Sequence, residues 1–131
     1  MTLEQERAAL AFQHVQTVKD EEQRKIYGSM AQKLPALIRS AGLCQALHFV
    51  KSRGKTSQAP LKLLLDHLGE QLKRADDGIS DAESLCKRAR LSDLAHYVWL
   101  TREVLASVGW YARLSRSEWG ILPGTDSGSK P

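Results

Sequence analysis

Cysteine is scarce: Cys44 and Cys86 are the only two in 131 residues. They stand far apart and in no Cys-x-x-Cys spacing, which excludes a thiolate zinc cage and a disulfide framework. Both read as reduced thiols packed as small apolar groups. Long apolar runs are missing as well. The longest is five residues, Ala8 to Phe12, against the roughly 20 that a membrane-spanning helix needs. Glu4, Glu6 and Arg7 occupy the positions where a signal peptide would be apolar. The expectation is a cytoplasmic protein with no membrane partner.

Catalytic signatures are also missing. His14, His48, His67 and His96 are scattered, with no His-Glu-x-x-His pair. Asp66-His67 reverses the His-Asp order of metal-dependent phosphohydrolases. Gly54-Lys55-Thr56 looks like the end of a phosphate-binding loop, but position 49 is Phe49 where the loop needs its upstream glycine. Asp76, Asp77 and Asp81 fall where a helix stops and another starts, so turn chemistry and the helix dipole explain them. No catalytic residue, metal site or cofactor is expected.

The most informative absence is of negative charge. The net charge of +4 is modest. Yet between Glu22 and Asp66 there is no carboxylate side chain, against eight basic residues: Arg24, Lys25, Lys33, Arg39, Lys51, Arg53, Lys55 and Lys62. Residues 61–90 hold six groups of each sign. The positive excess therefore belongs to one third of the chain, and a local patch of one sign attracts polyanions whatever the overall balance. Its structural alternative is a solvated basic surface with no ligand.

What is present is helix-forming. Leu and Ala number 33 against 15 for Val, Ile and Thr, and no segment alternates with period two. The fold class is all-α: a compact single-domain bundle of about five to six helices. A first helix is predicted over 3–26, opened by a Thr2–Gln5 capping box and broken or bent at Gly28-Ser29. A second covers 29–41, with Pro35 in its first turn or at a kink and Gly42 as a left-handed cap. A third covers 43–52, followed by a polar loop over 53–59. A fourth opens with Pro60 and repeats Leu61, Leu65, Leu68 and Leu72 until Asp76-Asp77-Gly78. A short fifth follows a Ser80–Glu83 capping box, and a long last helix covers 92–116. The helical domain spans 1–119, and the Gly-, Ser- and Pro-rich residues 120–131 read as a disordered tail.

The last helix has two faces. Tyr97, Leu100, Val104, Val108 and Tyr111 form a core stripe that Leu94, Val98, Leu105 and Ala112 widen. Trp99 and Trp110 lie opposite, about 20° apart, with Arg102 and Arg113 beside them. These four fit a protein interface, where Trp and Arg are typical anchors. A helix buried on all sides and a base-stacking surface are the alternatives.

The segment from Tyr27 to Phe49 is distinctive. It sets Tyr27-Gly28 before Lys33-Leu34-Pro35, then Leu37-Ile38, Gly42-Leu43 and Ala46-Leu47-His48-Phe49. In order and spacing this resembles the signature of the small α-helical subunit of the Cmr complex, the type III-B CRISPR RNA-targeting effector. Thr101 to Ala106 is similar to the family's last helix, and the Leu-rich stretch from Pro60 to its middle helix.

The resemblance implies a non-catalytic subunit whose partners are the other Cmr subunits, including the backbone subunits, and further copies of itself. It also implies a basic wall along the groove where target RNA pairs with guide RNA, with cleavage left to other subunits. Lysine and arginine contacts to phosphate are blind to sequence, as such a groove requires. The candidate RNA-binding residues are Lys33, Arg39, Lys51, Arg53 and Lys55. Lys33 and Arg39 share a helix but point about 120° apart, so one strand cannot meet both. The other reading is a stand-alone helix-turn-helix nucleic-acid-binding protein built on the two helices joined at Gly42.

Overall fold

The computed structural model describes residues 1–56 and 58–123. It has six helices and, among the described residues, no strand: α1 (Leu3–Val15), α2 (Glu21–Ala41), α3 (Leu43–Thr56), α4 (Ala59–Leu72), α5 (Ala82–Leu91) and α6 (Leu94–Trp119). The all-α bundle expected from composition is what forms.

Local chemistry sets the helix ends. The Thr2 side chain accepts from the Gln5 amide while the Gln5 side chain accepts from that of Thr2, as the sequence predicts. The first helix, however, stops at Val15 and does not continue to residue 26. Asp20 starts a new one by accepting from the Gln23 amide, with Glu21 and Glu22 stabilised at its positive end. Gly28 and Ser29 then lie inside α2, buried. A Cβ on Gly28 would stand 2.7 Å from Ile121 Cδ1 and 3.0 Å from Ser115 Cβ. The glycine permits close approach of α6 and is no break. Pro35 sits in the interior of α2, and Gly42 ends that helix at φ 91°, ψ 157°, a positive φ but not the left-handed helical conformation.

Two further boundaries differ from the sequence expectation. α3 continues to Thr56, so Arg53 and Lys55 belong to its last turn and not to a loop. α5 is capped by Asp81 with Ser84, one residue later than the predicted Ser80–Glu83 pair. At the far end, Gly120 caps α6 in the left-handed conformation. The turn brings Ile121 back onto the bundle, buried, with its carbonyl accepting from Gln32. The order of the chain thus reaches past residue 119. Residues 124–131, most of the expected tail, lie outside the described residues.

The core joins all six helices. α6 packs along α2 and α1, α4 along α3, α5 and α2. Leu34, Leu47, Leu61, Leu65, Leu68, Leu72, Leu100, Val104 and Val108 are buried in one cluster. Each fully buried aliphatic side chain of this kind contributes about 1.5–3 kcal/mol of transfer free energy. At the start of α6, Leu94 and Val98 do not join this cluster: they are 77% and 42% exposed, because no described helix covers that side of its first turns.

Candidate nucleic-acid interface

The heart of the basic segment is α3. Leu43, Ala46, Leu47 and Val50 take its buried side. That leaves His48, Lys51 and Lys55, spaced i, i+3 and i+7, on a common flank. α5 lies against this flank. It buries Ala82, Leu85, Cys86 and Ala89 and carries Glu83 and Arg90, seven residues apart, along the edge that meets α3. Lys51 Nζ donates to Glu83 Oε2 at 3.0 Å. Arg90 Nη1 lies 3.4 Å from His48 Nε2 and donates to it. The two stripes form one face with three cationic side chains, Lys51, Lys55 and Arg90, around the Glu83 carboxylate.

The electrostatics of the face follow from that geometry. Desolvation, then Arg90 and Lys51, hold His48 below its ordinary pKa, so its imidazole stays a neutral acceptor. The ammonium of Lys51 holds the Glu83 carboxyl below the usual carboxylate range, first through the hydrogen bond. Lys55 lowers it further. Lys55 is exposed. Arg53 sits with its guanidinium carbon 5.5 Å from the centre of the Phe49 ring, a cation–π contact that orients the head group.

The structure thus unites Lys51 and Lys55 and adds Arg90, which the sequence reading missed. Linear charge counts hid it, because residues 61–90 balance to zero. In space three carboxylates of that window, those of Asp66, Asp76 and Glu70, are engaged elsewhere. Asp66 pairs with Lys62 and accepts from the Ala82 amide. Asp76 takes Arg88, and Glu70 takes His14. The signal that would have found it was the i, i+7 spacing of Glu83 and Arg90, which sets both on one side of α5. Lys33 and Arg39 are exposed on α2, on different sides of it.

Gly54 of the phosphate-loop-like tripeptide lies within α3, where a Cβ would come within 3.0 Å of the Lys62 backbone nitrogen. It serves the close crossing of α3 and α4. Helix-turn-helix recognition fares no better on this geometry, since α5 engages His48 and Lys51, two of the side chains α3 would offer to a duplex.

On α6, Trp99 and Trp110 are half-buried against the core. The guanidinium of Arg113 lies 4.8 Å from the Trp110 ring centre, and Arg102 is exposed. Among the described residues no group of His, Cys, Asp and Glu could hold a metal ion. Among the described residues, too, no helix is long and apolar enough to cross a membrane.

A small all-α bundle with one cationic two-helix face is the class of protein these features define. Comparison with known proteins gives the family. The profile of the CRISPR-associated protein family Cas_Cmr5 matches residues 3–118. The CRISPR system Cmr subunit Cmr5 of Thermus thermophilus is 41% identical over 110 residues, covering 84% of this chain and 90% of that protein. The crystal structure of a CRISPR-associated Cmr5 family protein from Thermus thermophilus superposes with a TM-score of 0.75 at 39% identity, covering 89% of this chain and 97% of that one. The chain belongs to the Cmr5 family, the small subunit of the type III-B Cmr system, as the Tyr27–Phe49 signature indicates.

Proposed function

We propose that the chain is a non-catalytic subunit of a Cmr ribonucleoprotein and that its α3–α5 face lines the groove holding the guide–target RNA duplex. The observation that carries this reading is the convergence of Lys51, Lys55 and Arg90 on one face in a chain of the Cmr5 family. Such a face contacts phosphates and leaves sequence to base pairing. Arg53 beside it, and Lys33 and Arg39 on α2, extend the positive surface toward RNA or neighbouring subunits. The Trp99, Arg102, Trp110 and Arg113 side of α6 faces protein: the backbone subunits or further copies of the chain. Cleavage of the target RNA is performed by other subunits, which this one supports.

The test is target-RNA binding by the assembled complex carrying Lys51→Ala, Lys55→Ala and Arg90→Ala together. Each lost phosphate contact flattens the slope of log K against log salt by about 0.7–0.9. The expected result is weaker binding with a flatter slope in a complex that still assembles. Unchanged affinity and slope would overturn the assignment of this face.

A further inference from the structure

The end of α6 and the α1–α2 connection enclose a second feature. Two adjoining hollows, of about 580 and about 280 Å³, share Lys19, Arg24 and Trp119 as walls. They form one groove, which uses no residue of the α3–α5 face. Ile121 and Leu122 continue its apolar floor from Trp119, and Leu122 is 69% exposed. Lys25 completes the cationic rim.

Arg24 is fixed in place here. Its Nε donates to the Val18 carbonyl at 2.8 Å, and its guanidinium carbon lies 5.4 Å from the centre of the Trp119 ring. Trp119 is in turn held edge-on against the buried Tyr27, ring centres 5.7 Å apart. An arginine anchored through Nε and through its face has its conformation set in advance. The two Nη nitrogens have no partner among the described residues. Together they match the two oxygens of one carboxylate.

We propose that this groove docks an acidic segment of a partner protein, one carboxylate on Arg24 and a neighbouring apolar side chain on Trp119, Ile121 and Leu122. Two features favour a peptide over a nucleic-acid strand. Glu21 and Glu118 also line the hollows; they repel a continuous run of phosphates but tolerate a single carboxylate between them. The apolar floor suits a leucine-like side chain and gives a sugar–phosphate backbone nothing to bond.

The experiment is a titration of the isotopically labelled protein followed by the indole N–H signals of Trp99, Trp110 and Trp119, assigned with Trp119→Phe. The probes are a capped heptapeptide with one glutamate next to one leucine in a glycine–serine background, the same peptide with lysine for glutamate, and heptauridylate RNA. The expected result is a saturable shift of the Trp119 signal alone, with the glutamate peptide alone. Arg24→Gln weakens it about tenfold, the loss of a charge-assisted bidentate contact. Leu122→Glu, on an exposed side chain, weakens it by repulsion and serves if Arg24→Gln does not fold. Any of four outcomes overturns the proposal: no Trp119 shift at millimolar glutamate peptide, an equal shift with the lysine peptide, tighter binding of the RNA, or a Trp119 shift on concentrating the protein alone, which would assign the groove to a second copy.

Discussion

The imidazoles of His14 and His67 stack face to face, ring centres 3.9 Å apart and planes 4° from parallel. Both residues are only 6% exposed, and they join α1 to α4 inside the bundle. Hydrogen bonds assign their protons. His14 Nε2–H donates to Glu70, Tyr111 O–H donates to His14 Nδ1, and Gln71 donates to Tyr111 Oη. Tyr27 O–H donates to His67 Nδ1 at 2.6 Å. Every one of these contacts works with both rings neutral.

Acid should therefore loosen the fold. Desolvation, then the neighbouring His14, lowers the His67 pKa from 6.5 to about 3, and desolvation lowers that of His14 against the pull of Glu70. The unfolded chain binds these protons below about pH 6.5 and the folded chain does not. Stability is thus fully present above pH 6.5 and falls as pH drops toward 3, the window set by His67. For His67 the slope approaches about 1.4 kcal/mol per pH unit. Urea unfolding at pH 7.5, 6.5, 5.5 and 4.5 measures it. His67→Phe leaves the Tyr27 hydroxyl without its acceptor and lowers stability at neutral pH, but it should make the acid limb shallower by one histidine. An acid limb unchanged by that substitution would contradict its origin in His67.

Two helical glycines should respond in opposite directions. A Cβ on Gly69 would meet the Asp81 backbone at 2.5–2.7 Å. Backbone held by the α5 cap cannot retreat cheaply, so Gly69→Ala should destabilise by about 1–3 kcal/mol. Around Gly109 there is nothing within 4 Å. Gly109→Ala should stabilise by about 0.5–1 kcal/mol, through the smaller entropy loss of alanine in a helix. Paired thermal melts check both signs.

The break between α1 and α2 rests on Asp20, whose Oδ2 accepts from the Gln23 amide at 3.1 Å. Asp20→Ala should cost about 1 kcal/mol, and Asp20→Asn much less, because the amide oxygen can still accept. Chemical denaturation of the two variants side by side distinguishes capping from charge.

Glu83 is the lone carboxylate within the cationic face. Glu83→Gln releases Lys51 and removes a repulsion to phosphate. The complex should then bind target RNA about two- to threefold more tightly at low salt, with the gain vanishing near 1 M, where the Debye length is about 3 Å. Binding isotherms at the two salt concentrations read this directly. A loss of affinity would mean that the Lys51–Glu83 pair shapes the surface for RNA.

Local signals in the chain were enough for the helical class, the Thr2–Gln5 cap, the Leu61–Leu72 stripe and the Leu100–Tyr111 core face, because each depends on residues a few positions apart. They misplaced the first break for the same reason. Gly28 reads as a breaker until Ser115 and Ile121, about 90 residues away, are seen against it; Asp20, the cap that starts α2, was in plain view as a capping residue.

The sequence by itself determined the helical fold class, the family and the segment that bears the positive charge. Only the tertiary structure decided which cations act together. A charge interacts according to distance in space, and folding brings Arg90 beside Lys51 and His48 while turning Asp66, Asp76 and Glu70 of its own window toward Lys62, Arg88 and His14. The groove at Trp119 was equally hidden, since it joins residues 19–25 to residues 119–122, and no reading of either segment alone places an anchored arginine on an aromatic floor.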